Sequence, residues 1–257
     1  MKDKLKLSVS SIDTFKGCAK KYHHRYILKT KVDAKKWNFT EFGSCAHLML
    51  EYFHQRVNLD TPKEEYANIM KGCYIDAIKS GEFDYNILCE EVWSPKGDIK
   101  GLDYLKLIMQ EYLDKYRVEQ IPNVLETELA YSLELNEGAL IRGYIDRVDK
   151  VSDGVYKVVD YKTSKSPKYL KPFQLLVYAN AIKQIYPDAQ KVIGSFVLLK
   201  HSLKEVVYNF TEFDLEECMD EVMKNLNAIQ IEENWNKNPT RLCDFCDYKD
   251  LCFNGWG

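Results

Sequence analysis

Apolar residues recur at helical spacing in the first part of the chain. A first helix is predicted to begin at a cap offered by Ser8, Ser10 or Ser11 and to run through Phe15, Ala19, Tyr22 and Tyr26. A second helix is predicted over about 42–57. Residues 60 to about 122 indicate further helices, interrupted by a turn-like stretch at 93–98, and we interpret them as a helical insertion.

The pattern changes to short runs of β-forming residues from Val124 onward. Three runs, over about 124–135, 139–149 and 154–162, are separated by Asn136-Glu137-Gly138 and Ser152-Asp153-Gly154 turns and predict an antiparallel meander. The pattern that follows predicts a helix over about 172–185, strands near 191–200 and 204–211, and a helix over about 214–233. We therefore expect an α/β protein.

Length and composition bound the organisation of the chain. With 257 residues and 46% hydrophobic content it can bury one sizeable core, so we expect a single domain over 1–257 with the insertion at about 60–122. The first residues lack the apolar region of a secretory signal, and no run approaches roughly 18 apolar residues. A soluble, cytoplasmic protein without a membrane partner is expected.

The charge is unevenly distributed. The net charge of −3 does not favour nucleic acid, but the segment from Lys16 to Lys36 carries eight Lys or Arg and one acid, Asp33. Such a segment suits a phosphate backbone and equally a solvated helix face.

The chain has eight cysteines, which is many for a protein of a reducing compartment. Because disulfides rarely persist there, some of the eight are expected to bind metal. Cys243, Cys246 and Cys252 give the spacing C-x2-C-x5-C, which supplies three ligands, needs a fourth from elsewhere, and is not decisive for or against zinc. The cysteines that fit no ligand spacing are predicted to be buried apolar thiols: Cys45, Cys73, Cys89 and Cys218.

Two acids and a lysine are predicted to converge on the meander. Asp160 and Lys162 share one strand face because side chains alternate with period two, and the preceding strand can bring Asp146 beside them. Paired carboxylates repel unless a cation neutralises them, and their oxygens suit Mg²⁺ or Mn²⁺. The alternative is that Asp146 pairs with Arg142 or Arg147, and Asp160 with Lys162.

Three motifs in order resemble the RecB-like branch of the PD-(D/E)XK nuclease superfamily. They are a G-x-x-D strand at Gly143 to Asp146, a D-Y-K-T strand at 160–163, and a Q-x-x-x-Y helix at Gln174 and Tyr178. The resemblance implies a restriction-endonuclease-like core, with a mixed central sheet flanked by helices, and a metal-dependent DNA nuclease.

The same resemblance implies the role of each site residue. His47, in an element similar to the family's G-x-x-x-H, would bind metal with Asp146, Asp160 and the Tyr161 carbonyl. Lys162 would stabilise the attacking hydroxide or the developing phosphorane charge, while Gln174 and Tyr178 would position the strand. Flanked by Ala46 and Leu48, a lone histidine would otherwise be a core residue. Glu51, and Glu126 or Glu128, are left open as contributors.

The residues around Cys18 resemble the N-terminal signature of the family's iron-sulfur members, which include the AddB nuclease end and CRISPR-associated RecB-like nucleases. This implies that Cys18, Cys243, Cys246 and Cys252 hold a 4Fe-4S cluster that clips the N-terminal and C-terminal segments together. Ala19 departs from the proline that many members have after the cysteine.

The function expected from the resemblance is that of a single-stranded DNA exonuclease in repair, recombination or CRISPR-type processing. The chain lacks a Walker A motif, so a helicase or an integrase-type protein would be a separate partner. Tyr22 and Tyr26 could stack on bases or pack beside the cluster. The alternatives are a noncatalytic DNA-binding or assembly subunit of a recombination or spacer-acquisition complex, and a zinc-stabilised structural protein.

Overall fold

The computed structural model describes residues 5–135 and 138–253, so the turn predicted at Asn136-Glu137 lies outside the described residues. The chain forms two compact units. The terminal unit comprises residues 1–35, 132–143 and 216–257, and the central unit comprises residues 36–131 and 144–215. The predicted organisation as a single nuclease domain stays a prediction.

The N-terminal helix is broken at Cys18. Strand β1 (Lys6–Leu7) leads into α1 (Val9–Gly17), α2 (Ala19–Tyr22) and a π-helix (His23–Ile27). Ser8 caps α1 as predicted, because its hydroxyl accepts from the Ser11 N–H at 3.1 Å. A continuous helix through Tyr26 was wrong, since Cys18 has extended backbone angles, φ −164° and ψ 107°.

The sheet is mixed, as the family resemblance implies. Its main strands are β4 (Val124–Glu134), β5 (Leu140–Ser152), β6 (Val155–Lys162), β7 (Lys191–Leu198) and β8 (Lys204–Asn209). In the central unit β5 pairs antiparallel with β6, β6 pairs parallel with β7, and β7 pairs antiparallel with β8. In the terminal unit β1 pairs parallel with the first residues of β5. Strand β4 also pairs with β5.

Helices cover the central part of the sheet. Helix α7 (Phe173–Ile185) packs on β6 and β7. Val159 and Tyr161 of β6 enter a core formed with α3 (Asn38–Arg56), α4 (Tyr66–Lys79) and α6 (Gly101–Val118). Helix α8 (Glu212–Ile231) follows β8, and the short α9 (Lys249–Phe253) ends the described chain. Within the described residues, no helix has the length and apolar character needed to cross a membrane.

The segment over 60–122 forms part of the hydrophobic core. Besides α4 and α6 it contains the short α5 (Tyr85–Leu88) and a hairpin of β2 (Glu91–Val92) and β3 (Ile99–Lys100). The predicted turn at 93–98 is the tip of that hairpin, whose two-residue strands give no readable alternation. Met70, Leu105 and Ile108 are all buried against α3.

The cysteines outside the predicted ligand set are mostly buried. Cys45, Cys73 and Cys218 are buried as expected, whereas Cys89 is only half-buried because it lies at the end of α5, beside the exposed Glu90.

Two glycines of the segment over 60–122 test how tightly that segment is packed. A Cβ added at Gly101 would lie 2.4 Å from the Leu88 carbonyl oxygen, whereas one at Gly72 would meet Arg56 at 3.6 Å, an ordinary contact. We expect Gly101→Ala to lower the free energy of unfolding by about 1–3 kcal/mol through overpacking. Gly72→Ala should raise it by up to about 1 kcal/mol through helix propensity. Urea denaturation measures both, and a stabilised Gly101→Ala would contradict the packing described.

Candidate active site and cysteine cluster

The two predicted acids lie together in the central unit. Asp146 on β5 accepts a hydrogen bond from the Tyr161 backbone N–H on β6 at 2.8 Å, and its Oδ2 lies 3.3 Å from His47 Nδ1. Asp160 is 2% exposed, and its Oδ2 lies 2.6 Å from Lys162 Nζ. His47, Asp146, Asp160 and Lys162 are therefore brought together. The alternative ion pair of Asp160 with Lys162 is present, but Arg147 pairs with Asp149 rather than with Asp146.

Two successive hydrogen bonds connect Lys162 to side chains of helix α7. Lys162 Nζ donates to Gln174 Oε1 at 2.9 Å, and Gln174 Nε2 donates to the Tyr178 hydroxyl at 2.6 Å. Gln174 and Tyr178 share one helix face because they are four residues apart. Tyr178 is only 4% exposed and packs edge-on against Tyr131. Its hydroxyl is thus directed at Gln174, which in turn fixes the lysine.

The acids repel one another in this half-buried site. Burial raises the pKa of Asp160 to about 6, and the charge of Asp146 adds to the rise while Lys162 opposes it. Burial would lower the pKa of His47, but the neighbouring Asp146 outweighs it, so the net direction is upward. The shift of the Asp160 pKa thus comes first from burial, whereas the upward shift of the His47 pKa comes from its carboxylate neighbours.

Glu128 is a third acid of the site, which the sequence left open beside Glu126. Burial raises the pKa of Glu128 to about 7, and the charges of Asp146 and Glu51 raise it further. Its backbone lies in the left-handed region at φ 48°, which is uncommon for a non-glycine residue and strained. Glu126 is exposed. Glu51 accepts a hydrogen bond from Gln55 at 2.9 Å and contributes through its charge.

The donor set suits a hard divalent cation. Among residues 5–135 and 138–253, no three His, Cys, Asp or Glu side chains converge closely enough to hold a single metal ion. Asp146 is engaged by His47 and Tyr161, and Asp160 is engaged by Lys162. Yet Asp160 Oδ2 is buried and receives no hydrogen bond of good geometry within the described chain. An imidazole with several carboxylates fits Mg²⁺ or Mn²⁺, and such an ion would relieve the repulsion between the acids.

A buried charged network lies on the opposite side of β6. Arg147 Nη1 donates to the Tyr161 hydroxyl at 2.7 Å and to the Tyr112 hydroxyl at 2.9 Å, and lies 3.2 Å from His54 Nε2. The guanidinium also donates to Asp149 at 3.0 Å. Burial and the charge of Arg147 lower the pKa of His54, so that this imidazole is neutral and can accept. The network anchors Tyr161, whose backbone contacts Asp146.

The four predicted cluster cysteines line one pocket in the terminal unit. Cys18, Cys243, Cys246 and Cys252 share it with Lys20, Lys21, His24, Lys237 and Lys249. Burial raises the pKa of the Cys252 thiol, Lys237 lowers it, and the other three cysteines raise it, so the four are electrostatic neighbours.

The kind of metal centre is not fixed by these thiols. Among the residues that the structure describes, no three His, Cys, Asp or Glu side chains, those of this pocket included, are grouped so as to hold a single metal ion. The choice between an iron-sulfur cluster and zinc stays a prediction.

The basic N-terminal segment is only partly available to a ligand. Lys16 forms an ion pair with Glu221. Tyr22 is 1% exposed and packs against Phe15, Tyr26 and Trp235, so its ring is covered by other aromatic rings. It is not among the residues that line the cysteine pocket, and its packing beside a cluster stays a prediction. Tyr26 keeps a partly exposed side chain.

The fold and the site together define a nuclease class. A mixed sheet with two acids and a lysine on adjacent strands, and a glutamine helix packed beside them, is the arrangement that the motifs imply. A family model for the PD-(D/E)XK nuclease superfamily matches residues 6–253, and the chain belongs to this superfamily.

Individual relatives agree with this assignment. An ATP-dependent helicase/deoxyribonuclease subunit of Streptococcus pyogenes serotype M1 is 25% identical over 219 residues, 82% of this chain and 20% of that protein. The corresponding protein of serotype M6 is 26% identical with equal coverage. The chain thus spans about one fifth of the length of these relatives. These findings confirm the expectation of a RecB-like PD-(D/E)XK nuclease.

A solved structure is similar in fold. A "Putative exonuclease" from Eubacterium rectale has a TM-score of 0.55 and 19% identity, covering 98% of this chain and 88% of that one.

Removing one hydroxyl tests the buried network. Tyr161→Phe leaves the Tyr161 backbone intact but takes an acceptor from the buried Arg147, so we expect the free energy of unfolding to fall by about 1–3 kcal/mol. Tyr66→Phe is the control, because Tyr66 is equally buried and its hydroxyl has no hydrogen-bond partner among the described residues. The control should change stability by less than about 0.5 kcal/mol in urea denaturation. Equal effects of the two substitutions would mean that the network contributes nothing.

Proposed function

We propose that this chain is a metal-dependent DNA nuclease that hydrolyses phosphodiester bonds of single-stranded DNA from a free end. The observation that carries the proposal is the half-buried group of Asp146, Asp160 and Lys162 in a chain of the nuclease superfamily. DNA as the substrate is supported by the word deoxyribonuclease in the names of the S. pyogenes relatives. The preference for single strands and for ends rests on the RecB-like resemblance.

In the proposed site, His47, Asp146, Asp160 and the Tyr161 carbonyl would hold Mg²⁺ or Mn²⁺, which would supply an activated water and neutralise charge on the phosphate. Lys162 stabilises the attacking hydroxide or the negative charge that develops on the phosphorane. Gln174 orients Lys162 through its amide oxygen, and Tyr178 fixes the rotamer of Gln174. Glu128, which interacts electrostatically with Asp146, is a further candidate contributor to this site.

A helicase is the protein partner that the relatives favour. Their names join a helicase to a deoxyribonuclease, and the residues matched here are about one fifth of their length. We propose that a separate motor presents a single strand to this chain, with an integrase-type protein as the alternative partner. A noncatalytic assembly subunit is the second candidate function, but the acids and the lysine expected of a catalyst are all present.

We also propose that Cys18, Cys243, Cys246 and Cys252 bind a 4Fe-4S cluster. Their shared pocket supports it, and the lysines around that pocket would offset the negative charge of four thiolates. The N–H of Thr240 donates to Cys243 Sγ at 3.4 Å, a contact that stabilises a thiolate. Because Cys18 is more than two hundred residues from the others, the cluster would constrain the unfolded chain strongly.

Cleavage by active-site variants tests the nuclease proposal. Asp160→Asn and Lys162→Ala should each lower the rate on single-stranded DNA in Mn²⁺ or Mg²⁺ by about a thousandfold or more, because each removes charge needed at the reacting phosphate. Their affinity for DNA should stay within a few-fold, since contacts outside the site supply most of the binding.

Asp153→Asn, an exposed acid at the opposite end of β6, is the control and should cleave as the unmodified chain does. The same assay compares end-labelled linear with circular single-stranded DNA. Near-normal cleavage by Asp160→Asn would contradict the active-site assignment. Equal cleavage of circular and linear single-stranded DNA would mean that the protein is an endonuclease rather than an exonuclease.

Metal content tests the cluster proposal. Protein purified without oxygen should contain about four irons per chain. Cys246→Ala should lose the iron and become less stable, because metal binding and folding are coupled. Cys89→Ser, at a cysteine outside the shared pocket, should keep both. Stoichiometric zinc without iron in fresh anaerobic protein would contradict the proposal.

A further inference from the structure

A group of basic and aromatic side chains lies just beyond the strand ends that carry the acids. Strands β6 and β7 are parallel, so their carboxyl ends, at Lys162 and Leu198, meet at one edge of the sheet. The Leu199 N–H donates to the Lys162 carbonyl at 2.9 Å, which joins the two segments that follow. Ligands of α/β sheets commonly bind outside this edge.

Lys200 is a buried cation without an acidic partner among the described residues. It is 4% exposed, and its Nζ lies 4.3 Å from the centre of the Phe42 ring and 5.7 Å from that of Tyr104. Burial lowers the pKa of Lys200 to about 8, and the positive charge of Lys165 lowers it further. No carboxylate in the described part of the chain opposes either effect, so an anion at this place would relieve an unfavourable charge.

Lys165 and His201 both lie near the Trp93 ring. Lys165 Nζ lies 5.9 Å from the centre of the Trp93 ring, and the His201 ring lies 5.9 Å from it on a tilted plane. His201 Nε2 lies 3.3 Å from the Ser164 carbonyl, which ties this group to the chain two residues past Lys162. Trp93 is half-exposed, whereas Lys165 is exposed.

The loop that carries Lys165 begins against α3. A Cβ at Gly43 would lie 2.9 Å from Thr163 Oγ1, so the Thr163 side chain lies close to the backbone of that helix. Trp93 comes from the tip of the β2–β3 hairpin, within the segment for which the family resemblance gives no role. The hairpin is held near α3 because Asn38 Nδ2 donates to the Glu91 carbonyl at 2.7 Å.

We propose that Lys165, Lys200, His201 and Trp93 form a nucleotide subsite next to the scissile phosphate. The two lysines bind a backbone phosphate, and Trp93 stacks on a base without reading its identity. This inference rests on the proposed function, whose substrate is single-stranded DNA. Two cations without acids among their described neighbours suit a phosphodiester, and a half-exposed indole suits an unpaired base. The helical insertion would then supply substrate contact through its hairpin.

Binding of labelled oligothymidine, measured by anisotropy with the full chain and no divalent metal, tests the base contact. An abasic spacer is moved through the oligonucleotide one position at a time. With the unmodified chain, the spacer should weaken binding about tenfold at one position. Trp93→Ala should weaken binding of the intact oligonucleotide by a similar factor and abolish the effect of that spacer. Trp93→Phe should keep most of the affinity and most of the spacer effect. Independent, additive effects of spacer and substitution would overturn the base contact.

Salt dependence tests the phosphate contact. Each phosphate contact to a single strand contributes about 0.7 to the slope of log affinity against log salt concentration. Lys200→Met and Lys165→Met should each lower that slope by about this amount. Lys165 is exposed, so its variant should fold normally even if Lys200→Met does not. Lys204→Met, at an exposed lysine on β8 for which no contact with an acid is found among the described residues, is the control and should leave the slope unchanged.

The outcomes separate the two proposals. If the unmodified chain neither binds nor cleaves single-stranded DNA, the proposed function fails, and the subsite fails with it. If the unmodified chain binds and cleaves but the lysine variants match Lys204→Met, the subsite is overturned while the proposed function stands.

Discussion

Two carboxylates held together out of water repel each other, and the central unit is arranged around that constraint. Asp146 is offset by the Tyr161 N–H and His47, and Asp160 is offset by Lys162. Burial, with the charge of Asp146 adding to it, nevertheless raises the pKa of Asp160 to about 6. Lys162 is itself hydrogen-bonded to Gln174, and Gln174 is hydrogen-bonded to Tyr178. The position of the lysine that offsets Asp160 therefore depends on two side chains of helix α7. Strand β6 and helix α7 are thus fixed relative to each other by charge as well as by packing.

Side chains alternate between the two faces of β6, so the strand carries the charged site on one face and core residues on the other. Asp160 and Lys162 lie on one side of the strand, whereas Val159 and Tyr161 enter the core formed with α3, α4 and α6. The Tyr161 hydroxyl meets Arg147 there, together with Tyr112 from α6. A single residue therefore contributes a backbone N–H to the acids and a side chain to the buried network. The segment over 60–122 thus contacts the residue that carries this N–H through Tyr112.

Much of the site followed from alternation and spacing, and the misses have physical causes. Strand alternation predicted that Asp160 and Lys162 would share a face, and the spacing of four predicted the same for Gln174 and Tyr178. The same alternation would have paired Arg147 with Asp149, since residues two apart share a face while Asp146 and Arg147 do not. The break at Cys18 has a local signal that the predicted continuous helix passed over, because Gly17 precedes it and glycine favours a helix end. The left-handed backbone of Glu128 has no such signal, since glutamate rarely adopts it. The β2–β3 strands are too short to show a period.

The terminal unit poses the same electrostatic problem with different atoms. Cys18 and the three C-terminal cysteines lie near one another, and as thiolates they would repel just as the carboxylates do. The surrounding lysines reduce that repulsion, as Lys162 does for Asp160, but single positive charges at a distance do not remove it. In both units the residues that the sequence singled out acquire like charges when they ionise, and a bound cation would offset those charges. A divalent ion among the carboxylates and an iron cluster among the thiolates would therefore do the same physical work, which is to make a close group of anions compatible with burial.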